Sequence, residues 1–275
     1  MIERLVAPGC LLVALAASTA SGQSLTKKHD LPGQDLPVQS VAFSSDGKLI
    51  AAGDGVVGGN KEYGPGQVGF VRVYETESKR EVIRRKMGGP VAGVVLTEKP
   101  KYVVASSFKD LKAYRLLHHD QHRDYEDHPK GYGAVALAAE GSRIVAVTRG
   151  ETGAGPIAVW DFNSRRIVHR ISGSYTTLKI SADGKTLVAG TDDNRVAVFN
   201  TADWKQKAVM GKSRAHRPIT TVAVSRDGQK VFGWANGEGG HIWGATGGEP
   251  TASLKITDKI LPTMGPVHDA VFTPD

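Results

Sequence analysis

The chain has almost no cysteine and few aromatic residues. Cys10 is the only cysteine among 275 residues, and it lies in an apolar N-terminal segment. If that segment is removed, the mature protein has no thiol for a disulfide, a thiolate metal site or a cysteine nucleophile. Aromatic residues make up 7% of the chain, and no aromatic ladder accompanies its densest basic run, 79–86. We therefore predict no nucleic-acid partner, and the net charge of +7 indicates a soluble basic surface.

The motifs of common enzyme classes are also missing. GxSxG, HExxH and P-loop sequences do not occur, and no pair of carboxylates marks an acid–base site. We predict neither an enzyme nor a cofactor from this sequence.

The first 22 residues resemble an export signal. Arg4 provides a positive charge, residues 5–17 are mostly apolar, and Ala20-Ser21-Gly22 fits a cleavage site of small residues. This pattern predicts a signal peptide over 1–22, a mature domain over 23–275 and a secreted or periplasmic location. The apolar stretch is shorter than the about 20 residues of a membrane span, although an uncleaved anchor is the alternative. Cys10 precedes most of that stretch, so we expect no lipidation.

A turn recurs along the rest of the chain. Its positions are Asp46-Gly47, Lys99-Pro100, Glu140-Gly141, Asp183-Gly184 and Asp227-Gly228, and a sixth begins at Asp275. Asp-Gly pairs favour tight turns between strands, because such turns need residues that tolerate positive φ. Most of the intervals lie in the low forties of residues, which is the period of a β-propeller blade.

Apolar strands flank each turn, and the third strand of every repeat ends on an aromatic residue. Those residues are Tyr74, Tyr114, Trp160, Phe199 and Trp243. The pattern predicts four-stranded repeats over about 36–89, 90–128, 129–173, 174–217 and 218–265, with a partial repeat over 266–275.

Several of these residues resemble the WD40 repeat family. The stretch 41–48 (VAFSSDGK) matches its first-strand pattern, and Trp160-Asp161 is its namesake dipeptide. Asp193 stands six residues before Phe199, where the family has a structural turn aspartate. No repeat carries the family's full His–Asp–Trp set.

The resemblance implies an all-β fold, a β-propeller of five four-stranded blades and a partial sixth. The last repeat stops one residue before its expected glycine, which indicates an incomplete ring. The resemblance also implies a scaffold for protein–protein interactions. The alternatives are a propeller enzyme or a small-ligand or metal binder at the channel mouth, or a fragment without independent function.

Residues 53–58 match the GxGxxG pattern, but they do not predict a dinucleotide site. Such a site needs a helix next, whereas Gly64-Pro65-Gly66 follows soon after. We interpret 53–67 as a long loop on the first blade, which is either a binding loop or plain surface.

A polar segment at 118–128 holds four histidines. His118, His119, His122 and His128 are weak metal candidates, because imidazole suits transition metals. Their irregular spacing favours the alternative, a solvated outer strand and loop.

The start of each first strand supplies the partner-binding candidates. In the WD40 family the loops here line the face that usually binds partners. The candidates are Gln39, Tyr132, Tyr175, Thr176, Thr220 and His268. The two tyrosines alternatively fill the apolar position that valine or isoleucine takes in other repeats.

Overall fold

The computed structural model describes 36–58, 66–97, 102–117, 121–125, 130–214, 217–236, 238–254, 267 and 269–272. The first blade contains β1 (Val38–Phe43), β2 (Leu49–Val56), β3 (Val68–Glu75) and β4 (Glu81–Met87). The second contains β5 (Val91–Leu96), β6 (Tyr102–Ser107), β7 (Leu111–Arg115) and β8 (His122–Asp124).

The remaining strands complete three further blades. They are β9 (Tyr132–Ala138), β10 (Arg143–Thr148), β11 (Gly155–Asp161), β12 (Ile167–Ile180), β13 (Thr186–Thr191), β14 (Val196–Asn200), β15 (Gln206–Met210), β16 (Ile219–Val224), β17 (Lys230–Ala235), β18 (Gly239–Gly244) and β19 (Ala252–Leu254). Every pair of neighbouring strands is antiparallel. The all-β propeller fold expected from the sequence is therefore confirmed.

One strand belongs to two blades. Three blades are separate four-stranded sheets, whereas β9–β15 form a single seven-stranded sheet. The first part of β12 is the outer strand of blade 3, and its second part is the inner strand of blade 4. The sequence suggested a boundary at 173/174, but the chain bends there without leaving the ladder. Gly173, with φ of +145°, makes the bend.

The core lies between blades rather than within them. On β6, Val103 and Ala105 pack toward blade 1, whereas Tyr102 and Val104 pack toward blade 3. The second strand of a blade is therefore buried on both faces and has a nearly continuous apolar sequence. Fully burying one such valine or leucine contributes about 1.5–3 kcal/mol, so each blade is stabilised by its neighbours.

The turns between first and second strands repeat one hydrogen-bond network. In blade 4, Ser181 Oγ donates to Asp183 Oδ1 over 2.5 Å and accepts from the Thr186 amide over 3.0 Å. Ser44 with Asp46 and Ser225 with Asp227 form the same contacts. Blade 3 lacks this serine–aspartate pair, and its turn is a short 3₁₀ segment, Ala139–Gly141.

A hydroxyl connects most neighbouring blades near the centre of the ring. Ser40 Oγ accepts from the Val94 amide over 3.1 Å, and Ser106 Oγ donates to Gly133 O over 2.6 Å. Thr176 donates to Ile219 O, and Thr221 Oγ1 donates to Val267 O over 2.6 Å. The junction of blades 3 and 4 is spanned by β12 itself.

Residues 267 and 269–272 pack against the far face of blade 5. Val267, Ala270 and Phe272 contact Phe232 and Trp234. Lys179 Nζ on the inner strand of blade 4 lies 3.1 Å from Asp269 Oδ1. The described residues thus contain five blades and part of a sixth, and no helix among them has the length and apolarity to cross a membrane.

Candidate partner-binding face

All five inner strands carry a bulge near their first residue. In blade 1, Val38 pairs with Asp54 and Ser40 with Gly53, which leaves Gln39 without an opposite residue. The equivalent residues are Ala92, Gly133, Thr176 and Thr220. Because the blades share one orientation, these bulges lie on the same face of the ring, which we call the bulge face. Bulges are frequent where a sheet presents side chains for binding.

The turns between second and third strands lie on the same face, because the strands are antiparallel. Four of these turns make one repeated contact. The amides of Gly55, Phe108, Arg149 and Asp192 donate to the carbonyls of Pro37, Pro90, Gly131 and Ser174, at distances of 2.9–3.2 Å. Each turn is thereby fixed against the start of its own blade, and the bulge face has a rigid rim.

Asp193 organises the rim at blade 4. Its carboxylate accepts from Thr191 Oγ1 over 2.6 Å and Ser213 Oγ over 2.8 Å, and it lies 2.6 Å from Arg195 Nη2. Burial alone would raise the pKa of Asp193, but hydrogen bonds from Arg195, Thr191 and Ser213 lower it to about 2. This carboxylate is charged at neutral pH, and its contacts join 191–195 to the segment that leads into blade 5.

Tyr132 and Tyr175 are buried. Tyr132 is 1% exposed, and its hydroxyl donates to Tyr125 O over 3.0 Å. Tyr175 is 5% exposed, and its hydroxyl donates to Ser172 O over 3.2 Å. Both rings therefore pack in the interblade core, which favours the second interpretation, that they fill the apolar position.

The other partner-binding candidates lie on the bulges. Gln39 is exposed, whereas Thr176 and Thr220 are half-buried. Thr176 Oγ1 is also bonded to Gly190 O over 3.1 Å, so this side chain has a structural contact as well. His268 lies outside the described residues. The structure thus brings Gln39, Thr176 and Thr220 to one face, at corresponding positions of three blades.

The predicted metal candidates are only partly described. His118, His119 and His128 lie outside the described residues. His122 is on β8, where its Nε2 is 3.4 Å from Asp124 Oδ2 and its ring tilts against Tyr114. Within the described ranges, no three histidine, cysteine or carboxylate residues converge on a possible metal position.

The expectation of a loop over 53–67 is wrong for 53–56, which are the last four residues of β2, and 59–65 lie outside the described residues. Gly53 and Gly55 permit close packing against blade 2, since a Cβ would lie 2.4 Å from Val91 Cγ1 and 2.5 Å from Pro90 Cα respectively. The glycines therefore have a packing role in the propeller.

Two contacts between residues far apart in the sequence were not predicted. Arg72 Nε donates to Asp54 Oδ2 over 3.0 Å, and both side chains are buried. Burial raises the pKa of Asp54, and Arg72 offsets part of that rise. The second pair is Phe108 with Arg149, whose guanidinium carbon lies 3.8 Å from the ring centroid. Both pairs involve residues from different strands or blades, which the local repeat pattern does not connect.

The four-stranded blades and their order around the ring define a β-propeller. The model "WD domain, G-beta repeat" matches residues 25–57 and 164–200, of which the second segment includes β13 and β14. The family match and the structural matches together support a WD40-repeat β-propeller family for this chain.

Two solved propellers are similar in fold. The Cps50 (Swd1) β-propeller domain of Myceliophteria thermophila has a TM-score of 0.68 at 17% identity, over 83% of this chain and 76% of that one. U3-55K has a TM-score of 0.68 at 16% identity, over 88% of this chain and 72% of that one. No curated protein matches the sequence. Propellers of this family are generally scaffolds for protein interactions.

Proposed function

We propose that this chain is an exported scaffold that binds a protein partner through the bulge face. The five bulges are the observation that supports this proposal best. They place Gln39, Thr176 and Thr220 at corresponding positions on one face, with the fixed rim turns beside them. A rigid face loses little conformational entropy when a partner binds, which favours affinity.

The opposite face provides an internal comparison. Its turns satisfy their own polar groups, since the serine and aspartate side chains bond each other and the turn amides. The bulge residues instead interrupt the ladder, and among them Gln39 is exposed and Thr220 is half-buried. We therefore place the partner on the bulge face.

Site-specific photo-crosslinking tests this assignment. A photoreactive amino acid at Gln39 or Thr220 would probe the bulge face, and one at Lys185 or Arg226 would probe the opposite face. Incubated with extract of the source cells, both bulge-face variants should crosslink one common protein, which the opposite-face variants do not. Equal crosslinking from both faces would contradict the proposal.

Export is tested separately. The full chain, expressed in bacteria, should be recovered from the periplasm with Gln23 as its first residue. Replacing Leu12 and Leu15 by arginine interrupts the apolar stretch and should retain the protein in the cytoplasm at full length. Recovery of the unaltered chain uncleaved from the cytoplasm would refute export while leaving partner binding unaffected.

A further inference from the structure

Phe108 and Arg149 occupy the same position in adjacent blades. Each follows the second strand of its blade, and each donates its amide to the residue just before the inner strand. The acceptors are Pro90 O at 3.2 Å and Gly131 O at 2.9 Å. The two side chains meet across the junction of blades 2 and 3, where the guanidinium stacks on the ring at 3.8 Å.

Arg149 differs from the other arginines that are buried or half-buried in the described ranges. Its side chain has no hydrogen-bond acceptor and no carboxylate within ion-pair distance there. All the others donate to a carboxylate, a carbonyl or an amide oxygen, namely Arg72, Arg85, Arg115, Arg123, Arg143 and Arg195. Five N–H donors of a guanidinium normally find acceptors when water is partly excluded.

Packing holds the guanidinium in place. A Cβ on Gly153 would lie 3.3 Å from Arg149 Nη2, so the side chain lies between this turn and Phe108. A Cβ on Gly131 would lie 2.0 Å from Phe108 O, so only glycine lets the Phe108 turn approach blade 3 this closely. The stacked pair is therefore built into the junction before any partner binds.

Two charged side chains near these turns already have partners. Lys130 Nζ lies 2.7 Å from Glu151 Oε1, and Asp110 accepts from the Gly88 amide. Burial lowers the pKa of Arg149, with no opposing contribution from a neighbouring carboxylate. The ordinary pKa of a guanidinium is so far above neutral that Arg149 stays protonated despite this decrease. Within the described ranges, the rim thus holds a half-buried guanidinium charge that no carboxylate contacts.

We propose that Arg149, stacked on Phe108, is the receptor for a carboxylate of an acidic segment in the partner protein. This inference rests on the proposed function, because the bulge face must be the docking surface. The planar guanidinium donates a hydrogen bond to each of the two carboxylate oxygens at once, and the stack on Phe108 fixes its plane.

A single carboxylate fits this position better than a phosphate group. Sites for phosphate gather several donors around the anion. Lys130 provides a second cation on this rim, but it is already paired with Glu151. The Glu151 carboxylate also adds negative charge that would oppose a dianion. An aspartate or glutamate side chain carries one negative charge, and a single guanidinium can bind it.

A random twelve-residue peptide library, displayed on phage and selected against the purified chain, tests the inference. We expect binders that carry aspartate or glutamate and that lose about tenfold in affinity with Arg149→Gln, because a charge-assisted hydrogen bond is removed. Changing the acidic peptide residue to its amide should cost the same factor. Both changes together should cost no more than either alone.

Matched variants separate charge from stacking and from folding. Arg226→Gln removes an exposed arginine on the opposite face and should leave peptide affinity unchanged. Phe108→Leu removes the ring and should weaken the binding of the same peptides several-fold, since the stacked ring holds the guanidinium in the orientation that binds the carboxylate. Arg149→Lys keeps the positive charge but loses the paired N–H donors of the guanidinium. Its peptide affinity should lie between those of wild type and Arg149→Gln.

The outcomes distinguish this inference from the proposed function. Peptides whose affinity falls when Gln39 or Thr220 is substituted, but not with Arg149→Gln, would contradict the carboxylate site. The proposed scaffold function would then still stand. Tighter binding of synthetic peptides that carry phosphoserine in place of the acidic residue would also overturn it. If no peptide binds the bulge face, both proposals fail.

A second readout does not depend on selected peptides. Titration with N-acetylglutamate amide, followed by the side-chain Nε signal in a ¹⁵N spectrum, should shift Arg149 more than the exposed Arg165 and Arg166. Equal shifts for all three arginines would show only general charge attraction and would contradict the proposed site.

Discussion

Asp193 shows how one carboxylate stabilises the rim. It receives hydrogen bonds from Thr191 and Ser213 and pairs with Arg195, and three-quarters of its side chain is withdrawn from solvent. Its pKa is lowered to about 2 from an ordinary 3.8. A depressed carboxylate pKa stabilises the folded state above the unfolded pKa, and that contribution disappears as the pH falls through the folded pKa.

Replacing Asp193 by asparagine should therefore reduce stability in a pH-dependent way. We expect a loss of about 1–2 kcal/mol in the free energy of unfolding at pH 7. The difference from wild type should shrink between pH 4 and pH 2, where the wild-type carboxylate becomes protonated. Urea unfolding at several pH values measures it, with Glu249→Gln, an exposed change, as the control. A difference that stays constant down to pH 2 would contradict this explanation.

A residue with a local sequence signal could be identified from the sequence, whereas a contact between blades could not. Asp193 was identified from the family resemblance, because its spacing to Phe199 is local. Arg149 was not, because its partner Phe108 lies 41 positions earlier in another blade. The orphan indole of Trp160 is consistent with the incomplete His–Asp–Trp set, since its Nε1 is buried and lacks an acceptor within the described residues.

At the scale of elements, the turn chemistry and the alternation of strands predicted the blades well. Ser-x-Asp-Gly turns and an aromatic end to each third strand are local signals, and they recur where the strands lie. The continuity of β12 could not be predicted, because Ser172-Gly173-Ser174 has the composition of a loop. The pairings of Tyr175 with Gly155 on one side and Thr191 on the other keep this stretch in the ladder.

Gly173→Ala tests the bend in β12. The position has φ of +145°, and a Cβ would lie 2.6 Å from the Tyr175 ring. We expect a loss of about 2 kcal/mol or more, from backbone strain and displacement of a buried aromatic ring. Gly47→Ala is the matched control, because its φ is also positive at +67° but nothing lies within 4 Å. Thermal melting should show the larger decrease for Gly173→Ala, and equal decreases would refute the role of Tyr175.

At the scale of the whole molecule, the blades are joined in two ways. At four junctions a serine or threonine hydroxyl forms a hydrogen bond with the backbone of the next blade or of the segment that follows blade 5, and the junction of blades 3 and 4 has the unbroken β12. Each hydroxyl bonds a backbone amide or carbonyl across the junction. Because the chain has no cysteine after Cys10, these contacts and the interblade core hold the ring together.

Thr221→Val should loosen the last described segment. The threonine is 2% exposed, and its hydroxyl donates to Val267 O, which would lose that donor. Valine keeps the volume, so we expect a loss of about 1–2 kcal/mol that comes from the unsatisfied carbonyl. Amide hydrogen exchange should become faster at Ala270 and Phe272, whereas blade 2 should be unaffected. Thr220→Val is the control, since its hydroxyl makes only a long contact of 3.4 Å to Trp234 O. Similar exchange in both variants would contradict the bridge.

The unbroken β12 has a consequence for rearranging the chain. New termini placed at 88–90 or 211–214 would interrupt connections between strands, and circular permutation generally tolerates cuts outside regular structure. A cut at 172–174 would divide a strand that pairs on both sides. Blades 1, 2 and 5 can thus be exchanged singly between related propellers, whereas blades 3 and 4 must be exchanged as one unit.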